Sequence, residues 1–118
     1  MYNMVTGATR STARDSLSLE LRRGALVLAV LSQLHREEYG YSLKKRLSER
    51  ALEIDEGTLY PLLRRLETQG LLRSRWRLED GRPRRYYRIA PRGEQIEREM
   101  AAEWRALASV MDRLRQRG

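Results

Sequence analysis

Apolar residues spaced three or four positions apart predict three helices in the first 70 residues of the chain. The first, from Leu17 to about Glu38, is apolar on most sides, which indicates a buried helix. The second lies in YGYSLKKRLSER, where Leu43 and Leu47 are one turn apart. The third, at about 58–69, places its leucines on one side, and these are Leu59, Leu62, Leu63 and Leu66.

The third helix carries its polar residues opposite those leucines. They are Pro61, Arg64 and Thr68, flanked by Tyr60 and Arg65. Because proline has no amide hydrogen and is tolerated in the first turn of a helix, Pro61 predicts a helix start close to Thr58, which can cap it. Gly70 predicts the helix end, since glycine readily adopts the left-handed conformation that closes a helix.

Beyond Gly70 the period changes from helical to alternating. In residues 72–78 apolar or small side chains alternate with arginines, so we expect one packed face and one basic face. EDGRP predicts a turn, and RRYYRIA predicts a second strand in which one of the paired tyrosines is buried and the other exposed. Three helices followed by this basic hairpin, at about 72–90, describe a winged helix-turn-helix over residues 17–92.

The two ends of the chain lie outside that domain. Residues 1–16 have no apolar period and are rich in Ser, Thr and Ala, which predicts a flexible N-terminal arm. Residues 93–118 form a last helix with a heptad seam of Ile96, Met100, Trp104, Leu107, Met111 and Leu114. A helix of about 25 residues is roughly 37 Å long, so much of this seam is solvated in a monomer. We therefore predict a dimerisation helix; the alternative is that it folds back on its own domain.

The predicted fold class is mainly α with a small β-hairpin.

The net charge of +8 is concentrated in one part of the chain. Residues 57–92 contain ten arginines and three acidic residues, a net charge of +7. This pattern favours a surface for a polyanion, and arginine without lysine favours bidentate binding to phosphates or base edges. The alternative is an ordinary solvated basic face.

Several classes of function are excluded by composition. The chain has no cysteine and a single histidine, His35, and it has no phosphate-binding glycine loop and no spacing of metal ligands. We therefore predict no enzymatic activity, no cofactor and no metal. The longest apolar run, residues 24–31, is too short to cross a bilayer, and the predicted location is the cytoplasm, away from membranes.

Double-stranded DNA is the predicted polyanion. The third helix fits a major groove, where Arg64 can reach a guanine edge, while Thr58 and Tyr60 lie near phosphates at the positive helix end. The hairpin tip can enter a minor groove, and its basic residues are Arg82, Arg84 and Arg85. Each of these contacts has an alternative. The hairpin tip is only solvated, the Tyr60 ring is half-buried at the margin of the core, and Arg65 is paired with Glu56 or Glu67. A module that binds RNA or an acidic protein remains the alternative function.

Trp104 has two interpretations. At a heptad position it is a packing residue, but two tryptophans across a dimer axis would form a flat aromatic slot for an effector.

Four segments together resemble the PadR family of bacterial transcriptional regulators: LRRGALVLAVLSQL, YGYSLKKRL, EGTLYPLLRRLETQGLL and DGRPRRYYRIAPRG. The single C-terminal helix is similar to the shorter class of that family. The resemblance implies a homodimeric repressor that binds a pseudo-palindromic operator and is released by a small effector. Some members bind flat aromatic compounds between the C-terminal helices, where Trp104 would lie. The family's tyrosine and proline of the recognition helix match Tyr60 and Pro61, and its basic wing matches Arg82, Arg84 and Arg85.

The chain departs from the family pattern in two places. Many members have a His-Gly-Tyr-like turn before the second helix, where this chain has Tyr39, Gly40 and Tyr41. The N-terminal arm is also longer than usual.

Overall fold

The computed structural model describes residues 2–116, with side chains from residue 12 onward. Within these residues the elements follow in the order α1 (Tyr2–Gln33), β1 (Glu38–Tyr39), α2 (Gly40–Glu49), α3 (Glu56–Thr68), β2 (Leu72–Glu79), β3 (Arg82–Ile89) and α4 (Pro91–Arg115). The strands form one antiparallel sheet in the order β1-β3-β2. The predicted fold class, mainly α with a small β-hairpin in a winged helix-turn-helix, is confirmed. We call the β2–β3 hairpin the wing.

The core is a single apolar cluster between the helices and the base of the wing. All four leucines of the α3 stripe are buried, as predicted. Their buried neighbours are Leu26, Val30 and Leu31 of α1, Leu34 just after that helix, Leu43 and Leu47 of α2, Ile54, Leu71, and Leu72, Tyr87 and Ile89 of the wing. Each fully buried leucine contributes about 1.5–3 kcal/mol relative to an exposed one, and no charged side chain among the described residues is buried.

The first helix is longer than its apolar pattern predicts. It begins at Tyr2 rather than at Leu17, so the predicted N-terminal arm of residues 1–16 is helical wherever the structure describes it. Residues 12–20 are all exposed. A helix that is already nucleated gains one hydrogen bond per added residue without a second nucleation step. α1 can therefore continue toward the N-terminus without burying apolar side chains. Met1 of the arm lies outside the described residues, as do the last two residues of the predicted segment 93–118.

The start of α3 also differs from the prediction. The helix begins at Glu56 with Asp55 at the N-cap position, so Pro61 lies inside the second turn and not in the first. Proline cannot donate to the carbonyl four residues earlier, so the Gly57 carbonyl receives no hydrogen bond from residue 61. At the other end the prediction is confirmed, because Gly70 follows the helix with a φ of +79°.

A two-residue edge strand, β1, was not predicted, and it changes the environment of the paired tyrosines. Tyr39 pairs with Tyr86 across β1 and β3, and the two rings lie 5.5 Å apart. Tyr86 and Tyr87 are both buried. The prediction that one of them is exposed is wrong, because the ring of Tyr39, on the strand paired with the edge of β3, packs beside the ring of Tyr86.

The wing packs on the core only at its base. Leu72 is buried, but Trp76 is 64% exposed and Leu78 is 75% exposed. The expectation of a packed face along the whole of β2 is therefore wrong beyond Ser74. The hairpin extends past the helices, so its outer half has no apolar layer against it.

We expect Gly93→Ala to destabilise the fold because Gly93 holds α4 against the base of the wing. An added Cβ would overlap the carbonyl oxygen of Leu71 and lie 2.8 Å from Cγ1 of Ile89. A backbone oxygen cannot yield cheaply, so the free energy of unfolding should fall by about 1–3 kcal/mol despite the better helix propensity of alanine. Urea denaturation at a fixed protein concentration measures the change.

Gly57→Ala is the matched control. The nearest atom to its added Cβ is a carboxylate oxygen of Asp55 at 3.1 Å, the end of a flexible side chain, so we expect a change within about 1 kcal/mol. Equal stability of the Gly93→Ala protein and its parent would show that α4 is not seated there.

Candidate nucleic-acid interface

The polar side of α3 is open to solvent. Its exposed residues are Pro61, Arg64, Arg65 and Thr68. Among the residues that the structure describes, the guanidinium groups of Arg64 and Arg65 form no ion pair and no hydrogen bond. The alternative in which Arg65 pairs with Glu56 or Glu67 is therefore wrong, because Glu67 binds elsewhere. Both arginines keep their full charge for a partner outside the domain.

The N-terminal end of α3 is already occupied by acidic groups. Thr58 donates its hydroxyl hydrogen bond to Oδ1 of Asp55 at 2.7 Å, and this bond is the main reason that the pKa of Asp55 lies below its usual range. Glu56 adds a second carboxylate in the first turn. Carboxylates are stabilised at this end of a helix, so a phosphate near Thr58 would meet two negative charges.

Tyr60 lies at the margin of the core, between α3 and the start of α2. Its ring fills the space beside Gly40, where any Cβ would overlap it. Burial raises the pKa of the Tyr60 hydroxyl, and this hydroxyl has no hydrogen-bond partner in residues 12–116. The half-buried interpretation of the ring is correct, while the hydroxyl is free to bind a ligand.

The register of the wing separates its side chains onto two faces. The inner face carries the pairs Leu72–Ile89, Ser74–Tyr87, Trp76–Arg85 and Leu78–Pro83, and the outer face carries Arg73–Arg88, Arg75–Tyr86, Arg77–Arg84 and Glu79–Arg82. Ser74 and Arg85 both bond to Glu67, so the inner face is the one turned toward α3. Arginines lie opposite each other twice on the outer face, where like charges are unfavourable unless they are compensated.

Carboxylates neutralise part of the outer face. Glu37 accepts hydrogen bonds from Arg75 at 2.6 and 2.9 Å and from Arg77 at 3.1 Å, and Glu79 lies 3.6 Å from Arg84. The Arg75 bond is the main cause of a lowered pKa at Glu37. A carboxyl group with a lowered pKa is ionised and paired above the ordinary carboxyl range, and the pairing is lost as the pH falls through the lowered value.

Six of the ten arginines in residues 57–92 remain uncompensated. Their guanidinium groups have no ion pair or hydrogen bond in the described part of the chain, and they are Arg64, Arg65, Arg73, Arg82, Arg88 and Arg92. The three predicted contacts of the wing tip therefore differ. Arg82 is free, Arg84 lies 4.7 Å above the ring of Tyr39, and Arg85 is held by Glu67 at 2.7 Å. Sequence reasoning missed Glu37 because it is 38 residues from Arg75, and no local pattern joins them.

The seam of α4 is divided between the domain and solvent. Ile96 and Met100 are partly buried against the core of their own chain. The rest of the seam, Trp104, Leu107, Met111 and Leu114, is exposed. The alternative to a dimer seam was that α4 folds back on its own domain. This is the case only for Ile96 and Met100. An apolar groove of about 480 Å³ runs between α1 and α4 and is lined by residues that include Leu21, Gly24, Leu28 and Trp104.

Neither a metal-ligand cluster nor a membrane-spanning helix is found in the described segment. It contains no cluster of three or more His, Cys, Asp or Glu residues that could hold a metal ion. No helix in that segment combines the length and apolar character needed to span a bilayer.

Comparison with known proteins shows which family has this geometry. Residues 27–99 match the family described as the transcriptional regulator PadR-like family, and this stretch includes α3 and the wing. The chain belongs to the PadR-like family of transcriptional regulators. The resemblance inferred from the sequence is confirmed, and a regulator of this family binds DNA to control transcription and is not an enzyme.

Individual relatives agree with the family assignment. The chain is 44% identical over 75 residues to the transcriptional regulator Rv3488 of Mycobacterium tuberculosis, covering 63% of this chain and 70% of that protein. The crystal structure of a PadR family regulator from Eggerthella lenta is similar at a TM-score of 0.86 and 43% identity, covering 94% of this chain and 99% of that one. A transcriptional regulator from Clostridium thermocellum is similar at a TM-score of 0.77 and 30% identity, covering 82% and 99%.

Proposed function

We propose that the protein is a homodimeric repressor that binds a pseudo-palindromic operator through α3 and the wing. The observation that carries this proposal is the set of uncompensated arginines, which includes Arg64 and Arg65 on α3 and Arg82 at the wing tip. Charge that the protein leaves unpaired at a solvent-facing surface is available to phosphates and base edges. Membership of a family of DNA-binding regulators favours duplex DNA over RNA or an acidic protein as the partner.

Each part of the interface has a proposed role. The α3 helix enters the major groove, where Arg64 reads a guanine edge and Arg65 binds phosphate. Pro61 is exposed on the same side and contacts the groove wall, while the free hydroxyl of Tyr60 contacts the backbone. Thr58 is given no DNA contact, because its hydroxyl is bonded to Asp55 beside Glu56. At the wing, Arg82 approaches the minor groove and Arg84 supports it from its position over Tyr39.

The dimer is proposed from the exposed part of the α4 seam. Trp104 is 53% exposed and Leu114 is 72% exposed, and with the groove beside them they form an apolar surface. This surface continues from the partly buried Ile96 end of the helix. A second copy of α4 on this surface would remove it from water, which is the usual driving force for association. Two copies of α3 related by a two-fold axis would read half-sites about 34–36 Å apart.

The salt dependence of binding tests the DNA proposal. If the dimer neutralises about six to ten phosphates, the logarithm of affinity should fall with the logarithm of salt at a slope of roughly −5 to −9. Arg64→Ala should lower discrimination between operator and random duplex by about 1–3 kcal/mol, while Arg82→Ala should weaken both duplexes alike. Fluorescence anisotropy with an operator selected from a random pool measures these quantities.

The controls separate the alternative partners. Single-stranded RNA at matched salt should bind more weakly than the operator. A flat salt response, or equal losses on both duplexes for Arg64→Ala and Arg82→Ala, would contradict the assigned roles of α3 and the wing.

Leu107→Glu tests the dimer. A charge in the centre of an apolar seam must be desolvated on association, so we expect a monomer at micromolar concentration in sedimentation velocity, where the parent protein is a dimer. Ala102→Glu is the control, because Ala102 is an exposed residue of the same helix that lies outside the seam. A monomeric parent protein, or a dimer that persists in Leu107→Glu, would contradict the seam.

The same groove supports the proposal of a small aromatic effector. Trp104 lines it together with Met100 and Met111, and flat apolar ligands stack well on indole rings. We expect planar aromatic compounds to quench the Trp104 fluorescence and to release operator DNA, and we expect the release to be lost in Trp104→Ala. Trp76→Phe removes the other tryptophan, so that the signal comes from Trp104 alone. Release that survives in Trp104→Ala would show that the effector binds elsewhere.

A further inference from the structure

The inner face of the wing is joined to α3 by a three-residue polar network. Arg85 donates from Nε to Oγ of Ser74 at 3.0 Å and from Nη2 to Oε1 of Glu67 at 2.7 Å. Ser74 in turn donates to Oε2 of the same Glu67 at 2.5 Å. The two bonds to Glu67 are the only side-chain hydrogen bonds between α3 and the two wing strands among the residues that the structure describes. Each strand of the wing contributes one member, so the network ties both strands to the helix.

Arg85 is held in position by its neighbours as well as by charge. Its guanidinium lies 5.7 Å from the centre of the Trp76 ring and 5.6 Å from that of Tyr87. Both Arg85 and Glu67 are only partly exposed, with side-chain exposures of 35% and 27%. Two donors of one planar group thus reach two acceptors on different elements, an arrangement that the single ammonium of lysine cannot reproduce.

The network gives Arg85 a different state from Arg82 at the wing tip. The carboxylate of Glu67 compensates the Arg85 charge, whereas Arg82 is exposed and has no ion-pair partner in residues 12–116. A phosphate that bound Arg85 would have to displace Glu67 and would lie next to its negative charge. Binding of a phosphate to Arg82 does not require the displacement of a paired carboxylate.

We infer that Arg85 is a positioning residue and not a DNA contact. With Glu67 and Ser74 it sets the angle of the wing relative to α3, so that the helix and the wing tip reach adjacent grooves of one duplex together. This inference rests on the proposed function and corrects the expectation that Arg85 contacts the minor groove. Near the tip of the wing, Trp76 and Leu78 of the inner face are exposed to solvent. Apolar packing therefore fixes the angle of the wing only at its base.

Distance measurements without DNA test the network directly. The chain has no cysteine, so Gln69→Cys and Leu78→Cys introduce a unique pair of nitroxide labels, one at the C-cap of α3 and one on the wing. Labelled protein diluted into unlabelled protein reports distances within one chain. We expect one narrow distance distribution in the parent and a broader one in both Glu67→Gln and Arg85→Gln. The double variant should be no broader than either single variant, because each change removes the same interaction.

The salt slope of operator binding separates positioning from phosphate contact. Arg85→Gln should weaken operator binding about tenfold with an unchanged slope. Arg82→Gln should reduce the magnitude of the slope by about 0.9 for each protomer. Arg85→Lys keeps the charge but loses the planar group that bonds to both Ser74 and Glu67. It should therefore behave as Arg85→Gln does in both experiments.

The outcomes are distinguishable. An unchanged distance distribution in Arg85→Gln, a slope reduced as in Arg82→Gln, or parental binding by Arg85→Lys would each overturn the inference. If Arg82→Gln leaves the slope unchanged, the proposed contact of the wing with DNA fails, while the distance measurement still decides whether the network holds the wing. Circular dichroism melting of each variant checks that its helices are intact, and Arg85→Lys replaces Arg85→Gln if the glutamine variant does not fold.

Discussion

Leu59, Leu63 and Leu66 of α3 are almost completely removed from solvent in the same cluster as Leu31 of α1 and Leu43 of α2. A helix whose leucines are buried on one side must present the residues about half a turn away to solvent. Burial of this side therefore orients the polar side of α3 as well. Hydrophobic burial is non-directional in itself, but the helical period converts it into a fixed direction for the arginines.

Charge compensation then divides the arginines into two groups. Carboxylates from three separate places, Glu37 before β1, Glu67 on α3 and Glu79 at the end of β2, hold four arginines of the wing. The other six arginines of residues 57–92 are exposed and have no ion-pair partner among the described residues. Ion pairs at a surface contribute little stability, so the more important effect is on binding. A paired guanidinium is already held by a carboxylate, and an unpaired one can exchange its counterions for phosphates.

Prediction from the sequence succeeded where the determining interactions are local. The α3 stripe, the end of α3 at Gly70 and the hairpin all follow from spacings of two to four residues. It failed where a side chain contacts a segment that is distant along the chain. The burial of Tyr86 depends on Tyr39, which is 47 positions away and pairs with it only in the sheet. The early start of α1 was missed for another reason: residues 12–20, the first whose side chains are described, are all exposed, so no buried apolar stripe marks the helix there.

The sequence by itself determined which residues are buried in α3, where the hairpin turns, the concentration of basic charge in residues 57–92, and the family. Each of these depends on the order of neighbouring residues along the chain. Only the tertiary structure decided which arginines are free. That property depends on whether a carboxylate lies within hydrogen-bonding distance, and Glu37 reaches Arg75 across 38 residues of sequence. Coulomb interactions follow distances in space, and the fold sets those distances.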